Sequence, residues 1–220
     1  MVIEALRRIG KARIKTAERQ VPQDMLFSQE QKEALVNDGA VIYLPTGVTI
    51  MKQEKLQLQK GKPSFWYVTE GGDALLALPS RRMEVAIYPD PERFFVPGTF
   101  DKDLNEQERL AAEDGQALSQ ILGIEGIMQI IPAEASSVTE VAFQRLDGTG
   151  IWLFGEEYAA AQGLKWVYGR TKNPTNRTGS FVADVGGARS DSGLDVNGWH
   201  RDCGFDYLGA VRWVVPSFGL

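Results

Sequence analysis

The apolar positions change period along the chain. Residues 2–18 place Ile3, Leu6, Ile9 and Ala17 among Arg7, Arg8, Lys11, Arg13 and Lys15, the narrow stripe of a short basic amphipathic helix. After Pro22 a second helix is predicted to start at Ser28, where Ser28-Gln29-Glu30-Gln31 forms a capping box, and to stop before Gly39. The period then shortens to two. Residues 40–44, 48–50, 65–69 and 74–78 read as strands, with Pro45-Thr46-Gly47 and Glu70-Gly71-Gly72-Asp73 as turns and the Lys- and Gln-rich stretch 51–63 as a long connection. Phe65, Trp66 and Tyr67 fall in one of these strands, and alternation sends at least part of the trio into the core.

In the second half, Met83 to Tyr88 reads as a strand and Leu104 to Leu122 as a helix ending near Gly123, its apolar face marked by Leu110, Ala111, Ala117, Leu118, Ile121 and Leu122. Further on, Leu146 to Gly150 turns the chain. Residues 151–154, 164–168 and 181–185 read as strands, with 169–179 as a polar loop. The mixture is α+β.

One block follows neither period. From His200 to Tyr207 the chain reads H-R-D-C-G-F-D-Y, framed by Leu194, Val196 and Trp199 before it and the apolar run 208–215 after it. The frame is expected to be buried and the block to be a displayed loop. Asp195, Asn197, Gly198 and the residues from His200 to Tyr207 all belong to the set encoded by pyrimidine-ending codons. The absence of Lys, Glu, Gln, Met and Trp among them has a chance of roughly one in ten at average usage.

Composition narrows the function classes. A net charge of −5 and a pI near 5.1 argue against a nucleic-acid-binding surface. The single Cys rules out an internal disulfide framework and a cysteine-based zinc cluster. No apolar run approaches the ~20 residues that span a bilayer, and no signal peptide is expected, so the location is cytoplasmic or virion-associated, with surface display only by a non-standard route. The basic helix at 2–18 is expected to serve as a docking or oligomer contact, ahead of a membrane-surface role.

The pattern G-L-x-V-x-x-W, a polar and aromatic run, then L-G-A before a terminal strand resembles the C-terminal variable region of diversity-generating retroelement target proteins. Ile131-Pro132-Ala133-Glu134-Ala135 is similar to a segment of the formylglycine-generating-enzyme branch of the C-type lectin fold that closes a strand and opens the second helix, with the usual Trp missing. The resemblance implies N-terminal helices and short strands over 1–81, then a C-type lectin-like domain over 82–220 whose variable ligand-binding region covers about 186–215. It implies a non-enzymatic protein that presents a hypervariable surface to a protein or glycan. The ligand-facing set expected on that basis is Asp195, Asn197, His200, Arg201, Asp202, Cys203, Phe205, Asp206 and Tyr207.

Other chemistry is weaker on the page. Gly148-Thr149-Gly150 lacks the G-K-[ST] continuation of a phosphate loop, and the adjacent Glu156 and Glu157 do not face each other as an acid/base pair would. No metal or cofactor ligand set with fixed spacing occurs, so none is expected, and no catalytic residue is assigned. The alternatives are an enzyme of the formylglycine-generating or sulfoxide-synthase type, using Cys203 and His200, and a structural virion component. The resembled enzymes use a cysteine pair that this chain lacks.

Overall fold

The computed structural model describes residues 21–69 and 72–217. The basic helix expected at 2–18 lies outside them. The described part opens with a 3-10 turn at Gln23–Met25 and then α1 (Gln29–Asn37), which starts where the capping box places it: Ser28 Oγ accepts from Gln31 N and Gln31 Oε1 accepts from Ser28 N. The remaining elements are β1 (Val41–Tyr43), α2 (Ile50–Gln59), β2 (Ser64–Val68), α3 (Gly72–Ala77), β3 (Val85–Ile87), α4 (Leu104–Leu122), β4 (Ile127–Gln129), α5 (Ala135–Thr149), α6 (Glu156–Ala161), β5 (Tyr168–Pro174), β6 (Phe181–Arg189), β7 (Gly193–His200), β8 (Leu208–Gly209) and β9 (Trp213–Pro216).

Several of these correct the sequence reading. Residues 50–59 are a helix where a strand end and a long connection are expected. Thr49 caps it by accepting from Lys52 N, and its inward face is polar. Gln53 is buried and satisfied there, donating to Val48 O and Ser136 O and accepting from Thr139 Oγ1. The run at 74–78 is part of α3, a short apolar helix whose length and composition also fit a strand. Residues 151–154 form no strand: Phe154 sits at φ 64 with its side chain buried among aromatic rings. The turn expected at 146–150 reduces to Gly150, the left-handed C-cap of α5. Finally, 168–174 is strand β5 rather than loop, because its polar residues Arg170, Thr171 and Asn173 are buried.

Two sheets organise the molecule. The first has the order β1-β3-β9-β4 and is antiparallel throughout. The second has the order β2-β7-β6-β5-β8, antiparallel through its three central strands and parallel at both edges. β1 and β2 precede residue 82 yet supply an edge strand to each sheet. The expected final strand is split, with β8 joining the second sheet and β9 the first. Between them Val211 bridges Phe95, and the Arg212 guanidinium grips the Asp114 carboxylate of α4 through two bonds of 2.9 and 2.7 Å.

Packing leaves one sheet face over. Alternation along β7 sends Leu194 and Val196 to the back of the second sheet, into the main core shared with Val138, Val141 and Phe143 of α5 and with Val85, Ile87, Trp213 and Val215 of the first sheet. The other side of the first sheet is buried by Leu35 of α1 and Leu118 of α4 against Ala86, Ile127 and Val214. The front of the second sheet is apolar only at one end, where Val182 joins Val96, Leu104, Ala111, Ile131 and Ala210. Elsewhere it is lined by charged and aromatic side chains.

Candidate functional site

Three rows of side chains cross this front face. The strand registers align Tyr67, Asp195, Gly186 and Tyr168 in the first, Asn197, Asp184 and Arg170 in the second, and Trp199 with Val182 in the third. The first row depends on two glycines. A Cβ at Gly186 would strike the Tyr168 main chain and ring, and one at Gly187 would strike the Tyr168 hydroxyl, so only their absence lets Tyr168 lie across β6. The ring reaches β7, where its hydroxyl donates to Asp195 Oδ2 at 3.0 Å.

Asp195 is therefore covered. It was expected among the outward-facing residues but is 7 % exposed, because the Tyr168 ring lies over it. Burial raises its pKa, opposed by the Tyr168 hydrogen bond and the Arg189 charge, and its Oδ1 has no partner among the described residues. Asp184 is 5 % exposed, and burial pushes it up to about 7 despite the neighbouring Arg170 charge.

Arg170 fastens the loop. It is the largest fully buried side chain among the described residues and donates to His200 O at 3.3 Å and Cys203 O at 2.8 Å. The remaining fastenings are main chain to main chain: Arg201 N to Ser180 O, Leu104 N to Arg201 O, Asp101 N to Phe205 O and Tyr168 N to Tyr207 O. Gly204 completes the fit, since a Cβ there would run into the main chain of Asp101. Every one of these anchors uses the loop's backbone, so none of them is lost when a side chain of 201–207 changes.

Those side chains divide into two groups. Arg201, Asp202, Cys203 and Asp206 are exposed, and Arg201 and Asp202 form only a loose 3.8 Å ion pair. Phe205 and Tyr207 are half-buried and fold back over the sheet, in a chain of ring contacts from Trp199 to Phe205 (4.4 Å), to Tyr207 (4.3 Å) and on to Tyr168 (5.6 Å). Burial raises the Tyr207 phenol. Trp199 was expected in the buried frame with Leu194 and Val196. It lies an odd number of residues from both, so alternation turns it to the front, where it is half-buried with Asn197. Leu194, Val196, Leu208, Val211 and Trp213 are buried as expected.

His200 stands apart from the others. Alternation takes its ring off the front face and against Phe181 at 5.3 Å, and its Nδ1 accepts from Asp202 N. Only a main-chain bond, from Cys203 N to His200 O at 3.2 Å, joins it to Cys203; no side-chain hydrogen bond does so among the described residues. Glu156 and Glu157 are exposed at the start of α6. No group of three or more His, Cys, Asp or Glu side chains placed to hold a metal occurs among the described residues, and none of their helices is long and apolar enough to cross a membrane.

Sequence reasoning found the loop and missed its floor. Tyr168 and Arg170 fall in segments read as strand end and polar loop, and Asp184 in a strand with no mark of function. The one local signal was the pair Gly186-Gly187 in the middle of an apolar strand, which announces a close approach. Comparison with models of known protein families, with curated proteins and with solved structures finds no match to this chain.

Proposed function

We propose that this protein is a non-enzymatic binding protein whose loop 201–207, with the sheet face beneath it, is a displayed recognition surface diversified by a retroelement. The observation that carries the reading is the backbone-only fastening of the loop. Arg170 and the main-chain bonds to Ser180, Leu104, Asp101 and Tyr168 hold it whatever its side chains are. A frame of this kind lets side chains change while their positions stay fixed, which is how a paratope lowers the entropy lost on binding.

A C-type lectin-type frame is part of the proposal. In its support, β3 pairs antiparallel with the closing strand β9, the two long helices α4 and α5 follow β3, and β5, β6 and β7 form a meander ahead of the loop. The ligand is a protein or a glycan. The coding DNA tests the diversification directly: a near-copy repeat with adenines at the codons of the exposed loop residues, beside a reverse transcriptase gene, is the expected finding. A locus without such a repeat would remove the retroelement from the account and leave a fixed binding loop.

A further inference from the structure

Of the aromatic trio at 65–67 only Phe65 is absorbed by the core, and none of the three belongs to the loop. Phe65 turns inward and packs against Phe143 of α5 at 5.1 Å. A register shift in β2 between Phe65 and Tyr67 then breaks the alternation, leaving Trp66 49 % and Tyr67 46 % exposed on consecutive residues. Arg189, at the end of β6, places its guanidinium 4.3 Å from the Trp66 ring centre and 4.9 Å from that of Trp166, and Lys165 Nζ lies 5.3 Å from the Trp166 ring. Tyr67 is in register with Asp195, so the cluster continues the first row of the front face.

Two features of the cluster point outward. Neither Arg189 nor Lys165 makes an ion pair among the described residues, although the whole chain carries net negative charge. Arg189 Nε is buried without a hydrogen-bond partner. The guanidinium packs against two indoles that hold its plane, and its terminal N–H groups make no hydrogen bond among the described residues, an arrangement that receives a carboxylate or sulfate in a fixed orientation. The rings beside it offer flat apolar faces. The surroundings are polar, with Lys165, Ser190 and Asp191 exposed, so the apolar area is small. A protein partner needs a broad apolar centre sealed by a rim; a sugar ring needs one aromatic face and a few polar contacts.

We infer that Trp66, Tyr67, Trp166, Arg189 and Lys165 form a binding site for an acidic glycan, with a pyranose ring stacked on an exposed aromatic face and its carboxylate or sulfate on Arg189 and Lys165. This rests on reading the front face as a binding surface, but not on diversification of the loop, because none of the five residues lies in it.

The test is titration of the full chain, followed by tryptophan fluorescence and calorimetry. The probes are a heparin-derived hexasaccharide, an oligogalacturonate, neutral dextran oligomers and a poly-glutamate peptide. Binding is expected for at least one of the two acidic oligosaccharides and not for dextran, weakening as salt rises. Trp66→Ala and Arg189→Met should each weaken it roughly tenfold, the size of a desolvated cation–π contact, and Arg189→Lys should retain part of it. Melting curves identify any variant that is unfolded, in which case Lys165→Gln carries the test with a smaller loss. The inference is overturned if neither acidic oligosaccharide binds, if dextran binds equally, or if poly-glutamate binds more tightly than both, which would make the site a contact for acidic protein. Binding that falls in Tyr207→Ala but not in Arg189→Met would also overturn it while leaving the loop as a recognition surface.

Discussion

The Tyr168 hydroxyl reaches across β6 to donate a 3.0 Å hydrogen bond to Asp195 of β7, over two glycines that make room for its ring. The bond ties an aromatic of the site floor to a covered carboxylate. Tyr168→Phe should cost about 1 to 3 kcal/mol, the range for a hydrogen bond to a charged or buried group. Gly186→Ala should destabilise more, because a methyl would meet main chain as well as ring. Thermal melts of both, with Asp195→Asn and the Tyr168→Phe/Asp195→Asn double mutant to complete a cycle, measure the coupling; additive effects would show that the bond contributes nothing.

Asp184 gives the fold a pH dependence with a definite sign. Its folded-state pKa, about 7, lies above the ordinary aspartate value near 4, so the folded chain holds this proton more tightly than the unfolded one. The stability it contributes is fully present below about pH 4 and is lost as pH rises to 7, by up to about 4 kcal/mol. Asp184→Asn should therefore raise the melting temperature most at pH 8 and least near pH 4. An equal gain at both pH values would contradict the assignment.

Arg170 is buried for the sake of the loop. Arg170→Met removes both of its bonds to loop carbonyls and leaves Asp184 without its neighbouring positive charge. A loss of about 2 to 5 kcal/mol is expected, as for breaking a buried charged pair. Hydrogen exchange should also quicken at the amides of Cys203 and Leu208, which lie in the loop and at its end. Unchanged exchange there would show that the loop is held without Arg170.

The helices were legible where their signals are local. The capping box at Ser28 and Gly123 as the left-handed end of α4 each sit where a short-range reading puts them. The same holds for the buried residues of β7, whose alternation is clean from Leu194 to Val196. What the sequence hid was polar burial. The inward face of α2 carries Gln53 and Gln57, and β5 buries Arg170, Thr171 and Asn173, so neither shows an apolar stripe. Trp199 was assigned to the frame as an apolar residue flanking the polar block, whereas parity decided its face. The loop was visible because it lacks any period, and its floor was not, because Tyr168, Arg170 and Asp184 meet only through the pairing of distant strands.

On the proposed function, the exposed side chains of 201–207 are free to change without loss of the fold, while Gly204 is not. Single changes at the exposed Arg201, Asp202 and Asp206 should stay within about 0.5 kcal/mol, and Gly204→Ala should destabilise by about 1 to 3 kcal/mol through its clash with Asp101. The direct measurement is the folded fraction, by protease resistance on a display platform, of a library randomised at Arg201, Asp202, Cys203, Phe205, Asp206 and Tyr207 with Gly204 kept, beside a second library in which Gly204 alone is randomised. The account predicts that most members of the first library stay folded, with some loss where Phe205 and Tyr207 become charged, and that the second library retains chiefly glycine. Collapse of the first library, or free substitution in the second, would contradict it.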